Sequence, residues 1–117
     1  MGLDLLVKDR RGQEVYGEKI SSYSGFHAFR SAWARLLGFD LNRMEGFQGT
    51  EPWNGKPLKS FFHHSDCDGK VSWTQARAIL RQAREDAPKL AEFAWEFRVL
   101  IAACEAAVKC KTSIIFC

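Results

Sequence analysis

The sequence predicts an α+β fold: a small antiparallel-type sheet, made of an N-terminal hairpin and a C-terminal strand, packed on two or three helices. Three observations lead there. Short apolar, β-compatible runs stand near both ends of the chain. Apolar residues at three- and four-residue steps fill the middle. A segment that is apolar over most of its circumference, residues 88–110, predicts a long central helix.

Taken in order, residues 3–7 form a first strand, residues 8–13 a polar turn containing Gly12, and residues 14–20 a second strand that completes the hairpin. Ser24 is the expected N-cap of the next element. Phe26, Phe29, Trp33 and Leu36/Leu37 give that helix its apolar stripe, with Arg30 and Arg35 off it, and Gly38 closes it. Residues 40–57 hold Asn42, Gly46, Gly49, Pro52, Asn54, Gly55 and Pro57. They predict a long loop of the kind that is often functional. A short apolar run, residues 58–62, leads into His63-His64-Ser65-Asp66-Cys67-Asp68-Gly69. Ser72 and Gln75 then make a capping box for a helix whose buried face is Trp73, Ala76, Ile79/Leu80 and Ala83. Pro88 stands in the first turn of the long helix, and residues 112–116 read as a last strand beside the hairpin.

With 117 residues the chain is expected to be a single domain, residues 1–117. No apolar window is long enough to span a bilayer, and the N-terminus has no secretory pattern, so a soluble cytoplasmic protein is expected. The four cysteines have no metal-type spacing and are read as reduced thiols. A net charge of +3 is too small to imply nucleic acid. Its distribution says more: Arg77, Arg81 and Arg84 fall at i, i+4 and i+7, a basic stripe suited to an acidic protein partner.

The densest chemistry is in residues 63–69. Three readings fit it. Asp66, Asp68 and Gly69 are similar to part of an EF-hand calcium loop, but His64 and Gln75 stand where the first and last ligands belong. A divalent transition metal held by His64, Asp66 and Asp68, with His27 in reach, suits the donor types better. His64-Ser65-Asp66-Cys67-Asp68-Gly69 is also similar to one metal motif of the DHH phosphoesterases. That resemblance implies a metal-dependent phosphoester hydrolase, although the other motifs of that family are absent. In the third reading Asp66, Asp68 and Ser65 simply hold a rigid turn before a helix, itself a good place for ligand contacts. A second motif, Tyr23-Ser24-Gly25-Phe26-His27 with Arg30 one turn on, places a histidine and an arginine where an anion would meet both.

Together, Tyr23-Ser24-Gly25-Phe26-His27 and His64-Ser65-Asp66-Cys67-Asp68-Gly69 resemble a group of small proteins from bacteriophages and their bacterial hosts, over residues 1 to about 110. The resemblance implies an accessory protein that manipulates host immunity by binding an immune protein or a nucleotide signal. The leading expectation is a non-catalytic binding protein, alone or as a homo-oligomer. Its ligand is a small anion such as a nucleotide or cyclic nucleotide. The site is drawn from Tyr23, Ser24, His27, Arg30, Trp53, His63, His64, Ser65, Asp66 and Asp68, with the histidines and Arg30 on phosphate and Trp53 stacked on a base.

Overall fold

The structure, a computed structural model, describes residues 2–65 and 68–117. Its four-stranded antiparallel sheet runs in the order β2-β1-β4-β3, with β1 Gly2–Lys8, β2 Glu14–Ser22, β3 Gly69–Val71 and β4 Ile114–Phe116. The hairpin and the C-terminal strand stand as expected. The fourth strand, β3, is three residues long, too short to leave a period-two signal in sequence. Leu3, Leu5, Val7, Val71, Ile114 and Phe116 alternate inward and are fully or almost fully buried. On the other side of the sheet, Asp4, Lys8 and Lys70 face water.

Four helices cover the apolar face: α1 Tyr23–Leu36, α2 Lys59–Phe62, α3 Trp73–Asp86 and α4 Ala94–Cys110. Strand β2 runs straight into α1. The N-cap is therefore Ser22, whose hydroxyl accepts from Gly25 N at 3.0 Å, and not Ser24. Two serines two residues apart offer the same chemistry. The backbone decides between them, because Ser22 is still extended and Tyr23 is already helical. The long helix also starts later than the sequence suggests. Residues 87–93 form two 3-10 turns, Ala87–Lys89 and Ala91–Phe93, and only from Ala94 is the helix regular. At the start of α3 both halves of the capping box are made: Ser72 Oγ accepts from Gln75 N, and Gln75 Oε1 accepts from Ser72 N. Such a cap is worth about 1 kcal/mol.

The core is largely aromatic. Phe29 meets Phe97 edge-on at 4.9 Å, and Trp33 meets Phe97 at 5.1 Å and Phe61 at 5.2 Å. Edge-to-face pairs of this kind add about 0.5–1.5 kcal/mol beyond the area they bury. One carboxylate lies within this packing. Asp86, at the end of α3, is 1% exposed and accepts from Trp33 Nε1 and Gln82 Nε2, both at 2.9 Å, with Lys89 Nζ at 3.3 Å. Burial pushes its carboxyl up, but the hydrogen bonds from Trp33, Gln82 and Lys89 outweigh burial and hold it below its ordinary value. Among the described residues, no helix is long and apolar enough to cross a membrane.

Candidate functional site

The site is organised around Arg30. The sequence places this residue off the apolar stripe of α1, yet it is completely buried. Its Nη1 donates to the carbonyl oxygens of Phe61 at 3.3 Å, Phe62 at 3.0 Å and His64 at 3.0 Å. These belong to the end of α2 and the residues just after it, where a helix leaves carbonyls without partners and a cation is favoured. The guanidinium carbon also lies 4.5 Å from the Phe26 ring centre and 5.3 Å from that of Phe47. One side chain of α1 thus ties down α2, the start of the 63–69 loop and the loop that carries Phe47. That role is structural, where the sequence points to ligand contact.

His64 is folded back onto its own loop. Its Nδ1 lies 2.9 Å from the Ser65 carbonyl oxygen and 2.8 Å from that of Asp68, so Nδ1 carries the proton. The ring packs 4.8 Å from Phe116 and 6.1 Å from Phe26, and its Nε2 is buried with no hydrogen-bond partner. Gly69 is required here by proximity: a Cβ on it would lie 2.6 Å from His64 Nδ1. The turn is closed by Ser65, whose hydroxyl donates to the Asp68 carboxylate and accepts from Asp68 N at 3.1 Å. Asp66, an expected ligand, falls outside the described residues, as does Cys67. Of the other two expected metal ligands, His64 Nδ1 and the Asp68 carboxylate are both engaged inside the turn. Among the described residues no three His, Cys, Asp or Glu side chains are grouped to hold a metal.

Burial lowers the His64 pKa from its ordinary 6.5, and the Arg30 charge lowers it further; the hydrogen bonds to Ser65 and Asp68 and the Asp68 charge only partly offset this. Below pH 6.5 the unfolded chain therefore takes up a proton that the folded chain refuses. Stability rises with pH wherever the unfolded state binds more protons, so it is lost as the pH falls from about 7 toward about 5. His64→Gln is expected to flatten this part of the profile. Urea titrations across that range check it, and parallel losses in both proteins would mean the ring is not held neutral.

The cleft opens beside the Phe47 ring that Arg30 contacts. It has a volume of about 350 Å³ and is lined by His27, Asn42, Gly46, Phe47 and Gln48. His27 Nε2 donates to Asn42 Oδ1 at 3.0 Å, and its ring stacks on Phe47 at 6.1 Å. A neighbouring cleft of about 340 Å³ shares Asn42 and Gln48 and adds Arg43 and Thr50. Gly49 allows this loop to close, because a Cβ there would lie 2.0 Å from the Arg43 carbonyl oxygen.

Among the described residues of the expected site, only His27 lines this cleft. His63 stands beside it, close to Gly46, and stacks on Trp53 at 4.5 Å with the rings nearly parallel. Trp53 is 4% exposed and donates from Nε1 to the Glu45 carbonyl at 2.9 Å, so its face is already covered by His63. Tyr23 packs partly against the core, and Ser24 is exposed, its Oγ 3.4 Å from that of Ser22. Asn42, Phe47 and Gln48 were not singled out from sequence. The signal in the sequence was the length and glycine content of the 40–57 loop; the positive φ of Gly46 and Gln48, 93° and 72°, that shapes it is seen only in the fold. The stripe of Arg77, Arg81 and Arg84 lies apart, along a groove between α3 and α4. Comparison with protein-family models, curated proteins and solved structures gave no match.

Proposed function

We propose that this is a non-catalytic, cytoplasmic binding protein that takes a small phosphate-bearing ligand of the nucleotide class in the cleft at the start of α1. The observation that carries the reading is the convergence of His27, Asn42 and Gln48 on one cleft of about 350 Å³ with Phe47 in its wall. That volume is in the range of small-molecule sites, and Phe47 gives a mostly polar lining one aromatic face. Asn42 accepts from His27 through Oδ1, which leaves its amide N–H groups to donate to a ligand. Arg43, in the adjoining cleft that Glu51 also lines, is an exposed cation that a phosphate would draw from its 3.8 Å pairing with Asp40. The amides of Asn42 and Gln48 and the Phe47 ring are the equipment of recognition, with His27 orienting the Asn42 amide, and the described lining includes no pair of nucleophile and base.

A cytoplasmic setting is supported by the three described cysteines, Cys104, Cys110 and Cys117, all of them free. A role in blocking host immunity, by sequestering a nucleotide signal, is supported by the resemblance of the Tyr23–His27 and His64–Gly69 motifs.

Calorimetric titration with inorganic phosphate and a panel of linear and cyclic nucleotides tests the reading. We expect saturable binding of a nucleotide at one site, weakened about tenfold or more by His27→Ala or Asn42→Ala. A panel that gives no binding, or a His27→Ala protein that binds as well as the parent, overturns it. Turnover of the nucleotide that stops with a chelator and resumes with manganese or zinc would replace it with a hydrolase centred on residues 63–69.

A further inference from the structure

A second surface, away from the cleft, carries its own chemistry. Arg77, Arg81 and Arg84 line a groove of about 350 Å³ between α3 and α4, floored by Leu80 and Val108. All three arginines are exposed. Arg84 is engaged, its Nη2 2.7 Å from Glu105 Oε2. No described carboxylate lies within ion-pair distance of Arg77 or Arg81. At the near end Trp73 is flanked by two cations, Arg77 and Lys111, each 6.0 Å from its ring. The result is a row of cations, Lys111, Arg77 and Arg81, that ends at the Arg84–Glu105 pair beside an apolar floor.

From this groove we infer a docking site for an acidic amphipathic helix of a partner protein. The charge calls for carboxylates. The spacing calls for a helix, because Arg77 and Arg84 stand two turns apart, about 10 Å, the repeat on which a facing helix presents its own residues. The floor of Leu80 and Val108 calls for an apolar side chain between those carboxylates. The strip is a single row whose end, Arg84, is already paired with Glu105, unlike the broad basic surfaces that follow a phosphate backbone.

The probe is a synthetic helical peptide with glutamates spaced as the arginines are and a leucine between them, followed by fluorescence anisotropy. A duplex and a single-stranded oligonucleotide serve as competitors. The expected result is saturable binding that weakens with added salt, falls about tenfold or more in Arg77→Ala/Arg81→Ala, and resists both oligonucleotides. The same double variant should melt as the parent does and keep any nucleotide binding at the His27 cleft. Undiminished peptide binding by the double variant, no binding by the parent, or displacement by an oligonucleotide overturns the inference.

Discussion

Arg30→Met is expected to lower the melting temperature by about 10 °C or more. Methionine keeps much of the apolar stem but removes the guanidinium that donates to the Phe61, Phe62 and His64 carbonyls. Each orphaned buried acceptor costs about 1–3 kcal/mol, and the cation–π contacts to Phe26 and Phe47 go with them. A total of about 3 kcal/mol or more follows. Arg30→Lys should recover only part, because an ammonium lacks the planar fork that reaches several acceptors while stacking on a ring. A melting temperature within about 2 °C of the parent for Arg30→Met would show that this guanidinium does not hold α2 and the loops together.

Asp86→Ala is expected to cost about 2–3 kcal/mol in urea denaturation, the penalty for leaving the buried indole N–H of Trp33 without an acceptor. Asp86→Asn keeps one oxygen for Trp33 and loses the attraction of Lys89, so it should cost less, about 1 kcal/mol. The carboxyl is held below its ordinary 3.8, so its contribution is complete at neutral pH and is lost as the pH falls through that lowered value. Equal losses for Ala and Asn would mean that the pairing with Lys89, and not the Trp33 hydrogen bond, carries the contribution of Asp86.

These two residues also mark where reading the sequence stops. The apolar stripes, the capping box at Ser72 and the terminal strands depend on neighbours within a turn or two, and local pattern reveals them. Arg30 and Asp86 depend on partners far along the chain. What buries Arg30 is a set of carbonyls at the end of α2, and what buries Asp86 is an indole on α1. No local period encodes such a pairing. The site divides in the same way. His27 was legible because it sits in the first turn of a helix, a familiar place for anion contact. Asn42, Phe47 and Gln48 join it only through the path of the loop, set by left-handed residues and by the close approach of Gly49 to Arg43. His64 was expected to share a site with His27 and instead packs on Phe116 of β4, a strand whose place in the sheet only the fold reveals.

The sheet order has a consequence for how the molecule is built. β1 and β4, the first and last strands, form the central pair, with Leu6 opposite Ile115. The β1–β2 hairpin can close on its own in microseconds, helped by Asp9, whose carboxylate accepts from the backbone N–H groups of Arg11 and Gln13. β3 has no such local route, because its described partner in the sheet is β4. The slow step is therefore the meeting of strands at opposite ends of the chain, with nearly the whole sequence as the intervening loop. Until that step is complete, the inner edge of β1 stands open, and a second unfolded chain can pair with it in place of β4. Refolding yield should accordingly fall with protein concentration long before the native protein shows any tendency to associate.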